Sequence, residues 1–69
     1  MSQLKGSLRD YVRENGSPSN SGRYWLVPEW LPIGPPVPER TAKALTRRYG
    51  KAATIRGEIS YWAIPRRDV

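Results

Sequence analysis

Five of the chain's seven prolines fall between residues 28 and 38. Proline has no backbone N–H and its ring clashes with the preceding helical turn, so no helix and no inner strand can run through this stretch. The chain is therefore split into two parts that must meet across a stiff connection. The run Pro32-Ile33-Gly34-Pro35-Pro36-Val37-Pro38 reads as an extended, polyproline II-like crossover. Each proline that fits its native backbone angles stabilises the fold by about 0.4–1 kcal/mol, because it restricts the unfolded chain. The same prolines interrupt the longest apolar stretch, which starts at Tyr24, so a membrane-spanning helix is not expected there.

At 69 residues the chain reads as one domain. A domain of this size buries only about 60% of its unfolded surface, so every large side chain counts. Only 38% of residues are apolar, yet three Trp and four Tyr are present, and a small core built on rings is expected. Cysteine and histidine are absent. Disulfides, Cys/His zinc sites and His- or Cys-dependent nucleophilic triads are thereby excluded. The six carboxylates are scattered, in no spacing that makes an acid/base dyad or an oxygen cage for a metal. The sequence therefore reads as non-catalytic, with no cofactor and no metal. The start, Met1-Ser2-Gln3-Leu4-Lys5, has no apolar run behind a basic end, so a secretory signal is not expected. A cytoplasmic protein, monomeric when free and without a membrane partner, is the expectation.

Leu4, Leu8, Tyr11 and Val12 recur at helical spacing and predict a short helix over 5–14. Ser7 and Asp10 match the spacing of a capping box, and Asn15-Gly16 is a stop signal. Residues 15–23 are almost entirely Ser, Asn, Gly and Pro and read as a flexible loop. Tyr24 to Val27 predicts a short strand. The segment 39–49 is the best helix candidate: Glu39 lies at its start and Arg47 and Arg48 at its end, as the macrodipole favours, and Gly50 sits where a C-terminal cap belongs. Its inner face is Ala42, Leu45 and Tyr49. Residues 51–64 read as a hairpin turning at Gly57, with Ile59, Tyr61 and Ala63 on one face and Glu58, Ser60 and Trp62 on the other. The fold class is α+β: two short helices with a small antiparallel sheet of two to three strands. Residues 1–69 form a single small basic domain that can end in a flexible tail at 65–69.

The net charge of +6 is unevenly placed. Lys5, Arg9, Arg13 and Arg23 balance Asp10, Glu14, Glu29 and Glu39, so residues 1–39 are neutral and residues 40–69 carry all of the excess. An anionic partner on the C-terminal side follows, either nucleic acid or an acidic protein surface. Arg40, Lys43 and Arg47 form an outer stripe on the second helix, and with Arg48 they are the candidate electrostatic contacts. Leu8 and Trp30 are the candidate apolar anchors, since a few large apolar groups dominate most interfaces. A helix-turn-helix is partly matched: Leu45, Gly50 and Ile59 fall on its apolar, turn and apolar positions. Lys51 and Arg56, however, would occupy buried positions, and Gly57 would sit inside the recognition helix.

The segment Leu4-Lys5-Gly6-Ser7-Leu8-Arg9-Asp10-Tyr11-Val12, the proline stretch around Trp25 and Trp30, and the Arg-rich remainder together resemble the small phage-encoded transcription regulators that bind host bacterial RNA polymerase, of the Xanthomonas phage type. The resemblance rests on size and character across the whole chain. It implies binding to the large β and β′ subunits in the host cytoplasm, inhibition of initiation by displacement of the σ factor, and antitermination. The alternative from the residues themselves is a small DNA- or RNA-binding protein whose basic helix contacts phosphates, helix-turn-helix-like or otherwise.

Overall fold

The computed structural model describes residues 4–30, 36–57 and 59–69, with the backbone alone at positions 55 and 56. In chain order the elements are α1 (Gly6–Asn15), β1 (Ser17–Pro18), β2 (Tyr24–Pro28), α2 (Glu39–Tyr49), β3 (Ala53–Arg56), β4 (Ile59–Pro65) and a 3-10 turn (Arg66–Asp68). The four strands form one antiparallel sheet in the order β1-β2-β4-β3. The fold is therefore α+β as expected, with one strand more. Most of the expected polyproline run, residues 32–35, lies outside the described residues.

Strands β2 and β4 come from opposite sides of the proline segment and pair along their whole length, from Tyr24 opposite Pro65 to Pro28 opposite Tyr61. This pairing joins the two parts of the chain. Successive strand residues point to opposite faces, and directly paired residues share a face. Trp25 and Val27 thus share the inner face with Ile64 and Trp62. There they meet Val12 of α1 and Leu45 of α2 in one buried cluster with Leu4. Trp62, 1% exposed, is its largest member. Its indole N–H donates to Thr46 Oγ1 at 3.3 Å, as a buried Trp requires. Burying a side chain of this class stabilises by about 1.5–3 kcal/mol.

Helix α2 forms over the expected residues, Glu39–Tyr49, with Leu45 buried and Ala42 and Tyr49 packed on the cluster. Gly50 ends it at φ 84°, its N–H donating to Thr46 O. Helix α1 stops at Asn15 with Gly16 behind it, as expected, and departs from expectation at its start. Its N-cap is Lys5, and no side chain caps it, so Ser7 and Asp10 make no capping box. The buried Leu4 fixes the entry instead: its N–H donates to Asp68 O at 3.1 Å, which starts the helix at Gly6. At the other end Gly16 has extended rather than left-handed backbone. A Cβ there would run into the Trp25 indole, so glycine is required for close approach, not for its turn conformation.

Two segments expected to be flexible make defined contacts. Ser17 and Pro18 pair with Leu26 and Trp25 as an edge strand, a position that tolerates proline. The serines behind them build a defined turn: Ser19 N–H donates to Tyr24 O at 2.9 Å and Gly22 N–H to Ser19 O at 3.0 Å. Tyr24 N–H also reaches Ser19 Oγ at 3.3 Å. Residues 66–69 are likewise no free tail. Asp68 is buried, 8% exposed, and accepts from Tyr49 Oη at 3.0 Å, while Arg66 N–H donates to Arg23 O at 3.1 Å.

Candidate functional site

Helix α2 displays the basic residues singled out from the sequence. Leu45 faces inward, and Arg40, Lys43 and Arg47, which are five, two and two positions from it and so turned to another face, are exposed together with Arg48. Lys43 Nζ is bridged to Glu39 Oε1 at 3.2 Å, with both side chains largely in water. Such an exposed i,i+4 pair contributes only about 0.3–0.5 kcal/mol. Among the described residues Arg40, Arg47 and Arg48 have no carboxylate at ion-pairing distance. The stripe is thus a row of cations, one of them partly neutralised.

Beside the stripe, a shallow groove of about 380 Å³ opens between α2 and the adjoining end of the sheet, lined by Glu29, Ala42, Lys43, Thr46, Arg47 and Trp62. Glu29 is anchored through its backbone, its N–H donating to Ser60 O at 2.8 Å. The next residue, Trp30, is 63% exposed. A large ring in water is what an apolar anchor requires. Leu8 is not so placed. It is half-buried and packs against the core cluster, because α1 turns its Leu4–Leu8–Val12 stripe toward the sheet. The four basic residues stand on one helix, Trp30 is exposed and follows the groove-lining Glu29 in the chain, and Leu8 is left to packing.

The residues after Gly50 form strands β3 and β4. No second helix follows α2 among the described residues, so the helix-turn-helix arrangement is not formed.

A second basic region is not visible in the sequence. At the end of the sheet where β2 begins and β4 ends, a cleft of about 350 Å³ is lined by Arg23, Tyr24, Pro65, Arg66 and Arg67. It shares Arg66 with a neighbouring cleft of about 280 Å³ lined by Arg13, Trp25, Arg66 and Val69. The Arg66 guanidinium lies over the Trp25 ring, 5.0 Å from its centroid, a cation–π geometry. The ring is itself fixed, because Trp25 Nε1–H donates to Val12 O at 2.7 Å. Arg13 and Arg23 belong to the electrically neutral half of the sequence, so no charge count along the chain could join them to Arg66 and Arg67. The one sequence signal is the Arg66-Arg67 doublet itself.

Two phenols are perturbed. Burial pushes the Tyr49 hydroxyl above its ordinary pKa, the hydrogen bond to Asp68 and the Asp68 charge add to this, and Arg48 opposes it. Burial alone raises Tyr11. Both effects accompany core packing rather than a reactive site. Among the described residues no group of three or more acidic, His or Cys side chains is placed to hold a metal ion, and no helix is long and apolar enough to cross a membrane. No protein-family model matches the chain, and neither a curated protein nor a solved structure matches it.

Proposed function

We propose that this protein is a non-catalytic transcription regulator of the phage type, which binds the large subunits of host bacterial RNA polymerase in the host cytoplasm. It inhibits initiation by displacing the σ factor, and antitermination is its second output. The observation that carries the binding part of this reading is the cationic face of α2, where Arg40, Arg47 and Arg48 have no carboxylate partner among the described residues, together with the exposed Trp30. Complementary charge steers encounter with an acidic surface, and a central aromatic anchor holds the complex. The identity of the partner comes from the resemblance.

The test is retention of purified host RNA polymerase on the immobilised protein at moderate salt. Wild-type protein retains it, and Arg40→Glu/Arg47→Glu and Trp30→Ala each reduce retention. Failure of the wild type to retain the enzyme sinks this reading.

The regular Arg40, Lys43, Arg47 spacing on α2 favours one other reading, a phosphate-contacting helix on DNA. Titration with duplex DNA distinguishes it, since the logarithm of the binding constant would fall with log salt by about 0.9 per phosphate neutralised.

A further inference from the structure

The two helices and the buried cluster occupy one face of the sheet. The other face has a composition of its own. By the pairing register it carries Tyr24, Leu26 and Pro28 of β2 and Tyr61, Ala63 and Pro65 of β4. Tyr24 is 44% exposed, Ala63 is exposed, and Tyr61 and Pro65 are partly so. Leu26 and Pro28 on this face are buried, so its accessible part is its Tyr24–Pro65 end and its Tyr61–Ala63 margin. The Tyr61 and Tyr24 positions are four residues apart along the ladder, about 13 Å at a rise of about 3.3 Å per residue. Beside Tyr24 the residues Arg23, Arg66 and Arg67 line one cleft. Among the described residues none of the three has a carboxylate at ion-pairing distance.

We propose that the Tyr24 end of this sheet face binds single-stranded nucleic acid, with a base stacked on Tyr24 and the adjoining phosphates held by Arg23, Arg66 and Arg67. Each component of the site fits that ligand class. A guanidinium presents paired donors that match phosphate oxygens. An exposed ring beside a cationic groove is the general device for holding unpaired bases, because every base has a stacking face. The arginines are also preset. Arg66 is seated on the Trp25 indole, and its backbone N–H is tied to Arg23 O at 3.1 Å, so one cation is seated by the fold and the backbone of a second is held beside it. An acidic protein segment would find the cations but would have no use for a flat aromatic platform. The site lies on different residues from the α2 stripe and does not depend on the polymerase reading.

The experiment is fluorescence anisotropy of labelled oligothymidylate titrated with the full chain. Binding at low salt is expected, weakening with salt by about 0.7 logarithmic units per phosphate contacted. Tyr24→Ala weakens it about tenfold, within the range for loss of one base–aromatic stack, and Tyr24→Phe retains it. Arg23→Ala and Arg67→Ala each weaken it and flatten the salt dependence, with melting temperatures near wild type as the control for folding. Arg40→Gln/Arg47→Gln on α2 leaves it little changed. The proposal is overturned by absence of binding at low salt, or by Tyr24→Ala binding as well as wild type. It is equally overturned if polyglutamate displaces the oligonucleotide as effectively as unlabelled oligothymidylate does, which would mark an acidic-protein surface. Loss of polymerase retention leaves these measurements unaffected, so the two readings fail separately.

Discussion

Trp25 is held from both sides: its indole N–H is bonded to Val12 O and its face carries the Arg66 guanidinium. The space beneath it exists because residue 16 has no side chain. Gly16→Ala is therefore expected to cost about 1–3 kcal/mol, the usual penalty for overpacking, read as a lowered denaturant midpoint at unchanged slope. Tyr49 and Asp68 make the second residue-scale contact of consequence. Tyr49→Phe leaves a buried carboxylate short of a partner and is expected to cost about 1–3 kcal/mol. The same phenol sets an alkaline limit. Its folded-state pKa lies above the unfolded value, chiefly through burial and then through Asp68, so the unfolded chain releases its proton first. The stability linked to it is complete below about pH 10 and is lost as pH rises through the raised folded value. Tyr11, raised by burial, acts in the same sense. Urea titrations between neutral and strongly alkaline pH should show this loss, and Tyr49→Phe should shallow it.

Helix α2 is legible in the sequence because everything that defines it is local. Its Ala42, Leu45, Tyr49 stripe, its acidic start, its basic end and Gly50 all lie within one short segment. Gly50 has φ 84° and ψ −178° and nothing near a would-be Cβ, so Gly50→Ala should cost about 1–3 kcal/mol from backbone strain alone, this region being essentially confined to glycine. Glu39→Gln should change stability by under about 1 kcal/mol, since the Lys43 pair is exposed. It should, however, strengthen retention of RNA polymerase, because Lys43 is freed. Strand β1 is not legible in the same way. Ser17 and Pro18 have no strand propensity, and they pair only because β2 offers them an edge. In β4 the alternation is legible but its direction is not. Trp62 and Ile64 face the core and Ala63 faces out, a choice made by which face the helices cover.

At the scale of the molecule, all net charge lies after residue 39 along the chain, whereas folding draws Arg13 and Arg23 to Arg66. The candidate contacts on α2 follow from periodicity, but the sheet-end cleft does not. Convergence of residues so far apart in the chain leaves no periodic trace. The small core also makes the last residues structural. Deleting residues 66–69 removes the Leu4–Asp68 and Tyr49–Asp68 bonds and Val69 from the core margin. The melting temperature, followed by circular dichroism, is expected to fall by about 10 °C or more, since 1 kcal/mol corresponds to about 4–8 °C in a domain this small.

Strand β4 lies between β2 and β3, and Asp68 just beyond it fastens Leu4 at the opposite end of the sequence. Until residues 59–68 have left the ribosome, the earlier strands have no central partner and α1 has no anchor. The apolar Tyr24–Val27 segment emerges with only the two-residue β1 to pair with, and the sheet closes once β4 arrives, in a step dominated by distant contacts. Folding of these residues thus waits on β4, and a ribosome stalled before it would carry a chaperone-accessible chain.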